Sequence, residues 1–506
     1  MQQYATEVRK SNVPETAPLV RWWYRPPPLL LILIVQAGLS LRLIWSNTAF
    51  QDEALYLWAG RLEWAHWLHG AVLPGYAFPA YFSGAPVIYP PLGALANDVG
   101  GLAGARLLSL CFMLGTTALL YSVTCRLFDR RAAVVAAAAF AFLGVTQNLG
   151  AFATYDAMAL FLLALASWFA IRSGGRWGEL ALIACALTLV LADAVKYASL
   201  LWNPVVIALA VLGPAGSTHL KAAGRGIRLV VYGAATALPL LLLVGGRSYV
   251  TGLMFTTLSR QIPGTSTPSA VLTAAYGWIG IVFILALLGF ILSFSAGDKR
   301  IRWLCGVLAA AALLAPLNQA RIDTIISLQK HVAFGAWFAA IAVGYGLSRI
   351  ADMTGAKIRR LIAVTAVVVL WFGVPQASTL FTWWPNSASM TSELSVALSQ
   401  SKCPCLIAEP NVASYYLPQI ATTAQLTGPY AFDYYDNSTQ QELSVAPAYE
   451  LAIKAGYFGV IEMDAAEDPA TNTVVVQALA SARNYTLLAT IRASNQKDPF
   501  RIWIRK

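Results

Sequence analysis

Asp52 and Glu53 stand side by side a few residues past the end of the first long apolar run. Carboxylates are costly beside hydrocarbon, and those held at a membrane face usually serve a function. At the mouth of a helical bundle such an acid is placed to take a proton from an acceptor hydroxyl. Asp156 is a further carboxylate, in Thr154-Tyr155-Asp156-Ala157, where one apolar run has emerged and the next begins. An acid in the first turn of a helix also suits the helix dipole, so this position has a purely structural reading as well. A phosphate-ester substrate would need cations. The candidates on the same side of the chain's topology are Arg61, Arg106, Lys196, Arg247, Arg260, Arg321, Lys330 and His331. Basic side chains near helix ends often only snorkel to the interface. Lys196 differs, because it follows Asp193 inside an otherwise apolar run and must pair or face a polar cavity. Lys330-His331 opens another run and is a second phosphate contact, an ammonium acting there as a point charge where a guanidinium would act as a fork.

The elements that must position these groups are membrane helices. Hydrophobic residues make up 58% of the 506-residue chain and charged residues 12%, the balance of an integral membrane protein. A helix needs roughly 20 apolar residues to cross the hydrocarbon. On that scale there are about eleven spans, near 28–46, 104–124, 132–150, 157–172, 179–195, 198–213, 229–245, 273–294, 303–317, 332–348 and 361–376. The division around Asp193–Lys196 is the least distinct. The net charge of +11 would suggest nucleic acid in a soluble protein. Here the basic residues sit in short segments between spans, including Arg126, Arg130 and Arg131, then Lys221, Arg225 and Arg228, then Lys299, Arg300 and Arg302. These alternate with segments poor in base, which puts residues 1–27 and the basic connections in the cytoplasm. Asp52, Glu53, Asp156 and the segment from 378 to the end then lie outside, and no nucleic-acid partner is expected. Met1–Arg25 lacks an apolar core and a cleavage site, so the first span reads as a retained anchor.

The first external loop, residues 47–103, is long for a membrane protein. Leu55, Trp58, Leu62, Ala65 and Leu68 recur at helical spacing, which predicts an amphipathic helix lying in the interface. The loop then folds back through the turn Tyr89-Pro90-Pro91-Leu92. His66, His69 and Glu63 could share a metal, but exposed interface residues are the simpler account. With four histidines in the chain, a histidine-built metal site is not expected. No Walker loop, H-E-x-x-H, G-x-S-x-G or paired C-x-x-C is present, which removes support for an ATP-driven pump, a zinc protease and a lipase.

From about Ser378 apolar runs shorten. Cys405–Ala408, Phe458–Glu462, Tyr485–Ile491 and Phe500–Ile504 read as strands, and Val412–Leu417, Ala446–Ala455 and Thr473–Ala482 as helices. The alternation predicts a small α/β domain over 378–506, following a transmembrane domain over 28–377. Cys403 and Cys405 form a C-x-C within it, which could close a strained disulfide in an oxidising compartment but is too little for a disulfide-built fold. Tyr415, Tyr416, Tyr434 and Tyr435 could hold a glycan, though core and surface packing explains them more simply.

Taken together, Asp52-Glu53-Ala-Leu-Tyr, Tyr89-Pro90-Pro91-Leu92, Ala105-Arg106-Leu107-Leu108-Ser109, Tyr155-Asp156-Ala157 and Lys330-His331 resemble the polyprenyl-phosphate-sugar-dependent glycosyltransferases of the GT-C fold. More narrowly, they resemble the bacterial branch with the protein O-mannosyltransferases and the lipid A aminoarabinose transferase. The likeness covers about residues 28–375. It implies inverting transfer from a lipid-phosphate sugar to an acceptor on a glycan, lipid or protein, at the outer face of the bilayer. By that analogy Asp52 is the general base, Glu53 its neighbouring acid, and Asp156 a second acid that orients acceptor or base. Arg61, Tyr89, Lys196, Arg247, Arg260, Lys330 and His331 would contact substrate or lipid phosphate. The members nearest in motif need no catalytic divalent metal, so no cofactor is expected. A transporter or flippase of lipid-linked sugars is the alternative. It should show two related halves with broken helices at mid-membrane, and neither is visible. A non-catalytic assembly protein would leave the acid-bearing loop unexplained.

Overall fold

The computed structural model describes residues 27–74, 82–216, 218–243, 246–254, 266–355, 357–401, 404–420, 425–430, 432–436, 440–464, 469–496 and 498–506. The bundle begins with α1 (Pro28–Ile44), then α2 (Gln51–His69) and the long α3 (Tyr89–Leu127). Next come α4 (Arg130–Ala141), α5 (Gly144–Leu149), α6 (Tyr155–Ala170) and α7 (Gly178–Val195). A 3-10 turn (Tyr197–Trp202) leads into α8 (Asn203–Leu212), followed by α9 (His219–Leu243), α10 (Gly246–Met254) and α11 (Pro268–Ser293). The last part comprises α12 (Lys299–Ala310), α13 (Leu314–Arg321), α14 (Leu328–Thr354) and α15 (Ile358–Thr382). Among the described residues, seven helices are long and apolar enough to cross a membrane, and three shorter helical stretches are also apolar. The expected run 132–150 is the helix pair α4–α5, broken at Phe142-Leu143. Gly100 and Gly101 divide α3 into two. Gly101 has φ 61° and ψ −162°, a conformation closed to residues with a side chain. The kink separates the first turns of α3, which carry Tyr89, from the apolar length beyond.

The central helix is α14, which is buried along almost its whole length. Its close approaches explain why. A Cβ on Gly344 would stand 2.3 Å from the Ala132 carbonyl oxygen, and one on Gly346 2.7 Å from the Gly289 Cα. Small residues at such crossings let backbones meet, the usual basis of helix association where lipid gives no hydrophobic drive. Lys330 and His331 therefore project from the first turn of the most tightly held helix in the bundle.

The loop helix is present but is not the surface-lying amphipathic element its periodicity predicts. Residues Ala54–Gly60 of α2 are all buried, whereas Trp67 and Leu68 are exposed. Residues covering α2 come from α3 and from the C-terminal region, and no periodicity within α2 itself could report them. At Gly60 a Cβ would stand 2.0 Å from the Pro90 carbonyl oxygen, so α2 and the start of α3 touch backbone to backbone.

The C-terminal region is a small α/β unit, as its alternating pattern predicts. It contains α16 (Ala388–Gln400), α17 (Pro410–Tyr416), α18 (Ala446–Lys454) and α19 (Pro469–Ser481). Its strands are β1 (Cys405–Ile407), β2 (Leu426–Thr427), β3 (Asp433–Asp436), β4 (Gln441–Ser444), β5 (Val460–Asp464), β6 (Tyr485–Arg492) and β7 (Pro499–Arg505). A five-stranded sheet runs β2-β1-β5-β7-β6, and β3 and β4 make a separate hairpin. β1 pairs in parallel with β2 and β5, while β7 pairs antiparallel with β5 and β6. Apolar side chains fill both faces of the sheet. Met390, Leu394 and Phe500 lie in one core, and Tyr449, Ile453 and Phe458 in the other. Cys405 is disulfide-bonded, and Cys403 lies outside the described residues.

Candidate active site

The fold brings two acid–lysine pairs to one end of the bundle. Asp52 lies in the first turn of α2 and is ion-paired through Oδ2 with Lys330 at the start of α14. Asp156 lies in the first turn of α6, fully buried, and pairs through Oδ1 with Lys196 at the end of α7. Its Oδ2 accepts a hydrogen bond from Thr154 Oγ1 at 2.9 Å. Asp156 is also within electrostatic reach of Lys330 and His331, so the two pairs share one field. The Lys196 ammonium stands 4.8 Å from the centre of the Tyr155 ring, and that ring meets Tyr56 with centroids 4.5 Å apart. His331 Nδ1 lies 3.2 Å from Gln319 Oε1. Gln319 Nε2 donates to the Ile326 carbonyl at 2.8 Å, which leaves Oε1 as an acceptor. The histidine is therefore placed to donate through Nδ1 to Gln319 Oε1.

Glu53 behaves differently from its neighbour. It is fully buried and held by Arg106, which is fully buried too. Arg106 Nε donates to Glu53 Oε1 at 2.8 Å and Nη2 to Oε2 at 2.7 Å. The remaining N–H groups of Arg106 reach the carbonyls of Ile44 (2.7 Å), Asn47 (2.9 Å) and Thr48 (3.1 Å). Glu53 in turn accepts from Ala153 N at 2.8 Å and Phe50 N at 3.1 Å. A guanidinium has five donors in a rigid fork, and here every one is used. Arg106, a phosphate candidate from its topology, is thus a clamp on the loop that leads into α2. Glu53 ties that loop to the turn before Asp156.

The same loop is gripped from the other side by the C-terminal region. Ala49 N donates to the Tyr416 hydroxyl at 2.9 Å, Trp384 Nε1 to the Thr48 carbonyl at 3.0 Å, and Ser387 N to Thr48 Oγ1 at 3.0 Å. The Tyr415 hydroxyl donates to Asn97 Oδ1 at 2.6 Å. Burial pushes the Tyr415 and Tyr416 phenols above their ordinary range, so both stay neutral donors or acceptors. These tyrosines face the bundle, where the sequence admitted a glycan contact or simple packing.

Beside the Asp52–Lys330 pair lies an aromatic wall that residue-by-residue reading did not single out. Phe50 packs on Phe152, Trp383 and Trp384 at centroid distances of 5.7, 6.3 and 5.3 Å. A small cleft opens among Phe50, Asn148, Phe152, Gln329, Leu380, Trp383 and Trp384, with Lys330 in its wall. The adjacent tryptophans just past the last apolar run were the available signal.

The remaining candidates stand apart. Tyr89 is fully buried behind the acids, among Ser109, Glu53 and Asp156. Arg61 is part-exposed, 3.4 Å from Asp98 and 3.4 Å from the Tyr415 carbonyl. Arg247 lies in α10, with its side chain outside what is described, and Arg260 lies outside the described residues altogether. His66 Nδ1 sits 2.7 Å from the Ala71 carbonyl, and burial raises the Glu63 carboxyl above its ordinary value. Among the described residues no group of histidine, cysteine and acidic side chains is arranged to hold a metal ion.

A polytopic helical bundle with these groups at one end and a small α/β unit after the last span has the GT-C fold, that of a class of membrane glycosyltransferases. The likeness is to particular solved structures. ArnT from Cupriavidus metallidurans in the apo state superposes with a TM-score of 0.60 at 13% identity, over 94% of this chain and 97% of that one. The same protein bound to undecaprenyl phosphate gives 0.60 at 12% identity, with the same coverage. The oligosaccharyltransferase AglB from Archaeoglobus fulgidus, in complex with an inhibitory peptide and a dolichol-phosphate, gives 0.59 at 12% identity over 94% of this chain and 74% of that one. Neither a protein-family model nor a curated protein matches the chain. At these identities the likeness is one of fold, and the chemistry must be argued from the side chains.

Proposed function

We propose that this protein is an inverting membrane glycosyltransferase. It would move a sugar from a polyprenyl-phosphate donor to an acceptor hydroxyl at the extracytoplasmic face of a bacterial plasma membrane. The observation that carries the reading is the convergence of Asp52–Lys330 and Asp156–Lys196 on a fold whose solved examples include lipid-phosphate complexes. Asp52, the less buried of the two acids, is the base. It takes the acceptor's proton as the acceptor oxygen attacks the anomeric carbon on the side away from phosphate. The bond from that carbon to the phosphate oxygen breaks, and the lipid phosphate leaves one negative charge richer. Lys330 and Lys196 stand where cations can meet that charge in low dielectric, where preorganised charge counts most. Asp156 orients Lys196 and is a positioning residue, as is Glu53 through Arg106. The α/β unit would then lie outside with the site, and the N-terminus inside.

The test is release of free lipid phosphate from a panel of polyprenyl-phosphate sugars by protein in lipid nanodiscs. Release from one donor is expected, with a loss of about 10²–10⁴-fold in Asp52→Asn, the usual contribution of a positioned base. Full turnover by the variant would remove Asp52 as the base. Lipid-phosphate binding without turnover, with acceptors of each class supplied, would favour a transporter.

A further inference from the structure

Lys330 is claimed from two sides. Its ammonium is paired with Asp52 Oδ2, and it also stands 5.3 Å from the centre of the Phe152 ring in the wall of the aromatic cleft. That cleft, about 20 Å³, is apolar apart from Asn148, Gln329 and Lys330 itself, so the ammonium stands at the edge of an aromatic wall as well as beside a carboxylate. One oxygen of Asp52, Oδ2, is thus already accepting a proton from Lys330, and an acceptor hydroxyl that approaches it must compete with the ammonium. Two aspartates and two lysines sum to zero charge. A phosphodiester brought into this neutral, largely buried group needs a cation, and the more accessible pair is the one that can supply it, because Asp52 keeps access to solvent while Asp156 has none.

Building on the transferase reading, we propose that Lys330 is a shared cation that couples donor binding to the base: the donor phosphate draws its ammonium away from Asp52, and only then is the carboxylate open to the acceptor hydroxyl. The proton and charge balance is consistent with this. The acceptor's proton ends on Asp52, the bond between the anomeric carbon and the phosphate oxygen breaks, and the departing phosphate monoester gains a charge beside the lysine that has already turned to it. With no donor in place, Oδ2 of Asp52 stays capped, which holds that oxygen back from water or acceptor alone. Coupling between two ligands of one group is reciprocal, so whatever weakens Asp52's hold on Lys330, such as loss of the carboxylate charge, must strengthen the lysine's hold on phosphate.

The reciprocal effect is measurable without turnover. Binding of undecaprenyl phosphate, with undecaprenol as the uncharged control, is measured in nanodiscs for the wild type, Asp52→Asn, Lys330→Gln and the double variant. Asp52→Asn should bind the phosphate several-fold to about a hundred-fold tighter, the range of ordinary coupling between sites. Lys330→Gln should bind it more weakly, and Asp52→Asn should have no further effect in that background. Undecaprenol should bind all four alike. Unchanged or weaker phosphate binding by folded Asp52→Asn overturns the coupling, as does a tightening that persists without Lys330. If that result comes with turnover lost in Asp52→Asn but present in the wild type, the transferase reading stands and the shared cation falls. If the wild type neither binds nor releases lipid phosphate, both fall.

Discussion

Replacing Glu53 by Gln should separate the acid that holds the fold from the acid assigned to chemistry. Glu53 accepts at Oε1 from Arg106 Nε and Ala153 N, both at 2.8 Å, and at Oε2 from Arg106 Nη2 at 2.7 Å and Phe50 N at 3.1 Å. A glutamine has one acceptor oxygen. Whichever way its amide is turned, the NH2 group faces two N–H donors, and the buried Arg106 guanidinium loses its counter-charge. Removing one half of a buried ion pair costs about 3–5 kcal/mol, against a typical whole-domain stability of about 5–15 kcal/mol. Asp52→Asn should cost less, because the asparagine side chain would keep an oxygen for Lys330 and Asp156 remains within that lysine's reach. The assay is thermal unfolding of the detergent-purified variants, followed by tryptophan fluorescence and size exclusion. Glu53→Gln should melt far below the wild type or fail to fold. Asp52→Asn should melt near the wild type and lack turnover. A double Glu53→Met, Arg106→Met variant should recover part of the loss, as apolar replacement of a buried pair generally does. Full recovery is not expected, because Arg106 also serves three backbone carbonyls. A Glu53→Gln protein as stable as the wild type but inactive would refute the argument and make Glu53 a chemical acid.

Two further outcomes follow from the grip on the loop and from the sheet. Tyr416→Phe removes the acceptor of Ala49 N, at a cost of about 1 kcal/mol in stability. Because that loop enters the helix carrying Asp52, kcat should fall with the donor KM little changed, and an unaltered kcat would show that the contact does not position the base. Glu462, in β5, is fully buried; burial and the neighbouring Asp464 push its carboxyl up to about 8 from an ordinary 4.5. A raised acid is protonated in the folded protein while the unfolded chain ionises. Its stability contribution is therefore highest below about pH 4.5 and falls as pH rises towards about 8. At pH 7 the loss is about 3 kcal/mol. Glu462→Gln in the full-length protein should melt higher at pH 7–8 and vary less between pH 5 and 8. The same pH slope in both proteins would contradict this.

Much of the architecture is a matter of composition. Among the described residues, each of the eleven apolar runs falls on one helix or on consecutive helical elements, because a segment without polar backbone partners in lipid must satisfy them within itself. The strands Cys405–Ala408 and Tyr485–Ile491 and the helix at Ala446 were equally legible, since alternation and punctuation by loops act locally. Asp52, Asp156, Lys196 and Lys330 could be nominated one at a time, because charge near hydrocarbon is rare enough to stand out. Their pairing could not be read. Asp52 and Lys330 are 278 residues apart, Asp156 and Lys196 are 40 apart, and Glu53 and Arg106 are 53 apart. No local pattern records which cation meets which acid across such distances. Arg106 and Lys330 look alike in the sequence, each a basic residue near the start of an apolar run. Packing alone makes the first a saturated backbone clamp and leaves the second between a carboxylate and a cleft. The burial of α2 was hidden for the same reason: α17, which covers it, lies more than 300 residues further on, and its hold on the Asp52 loop exists only once the chain has folded back on itself.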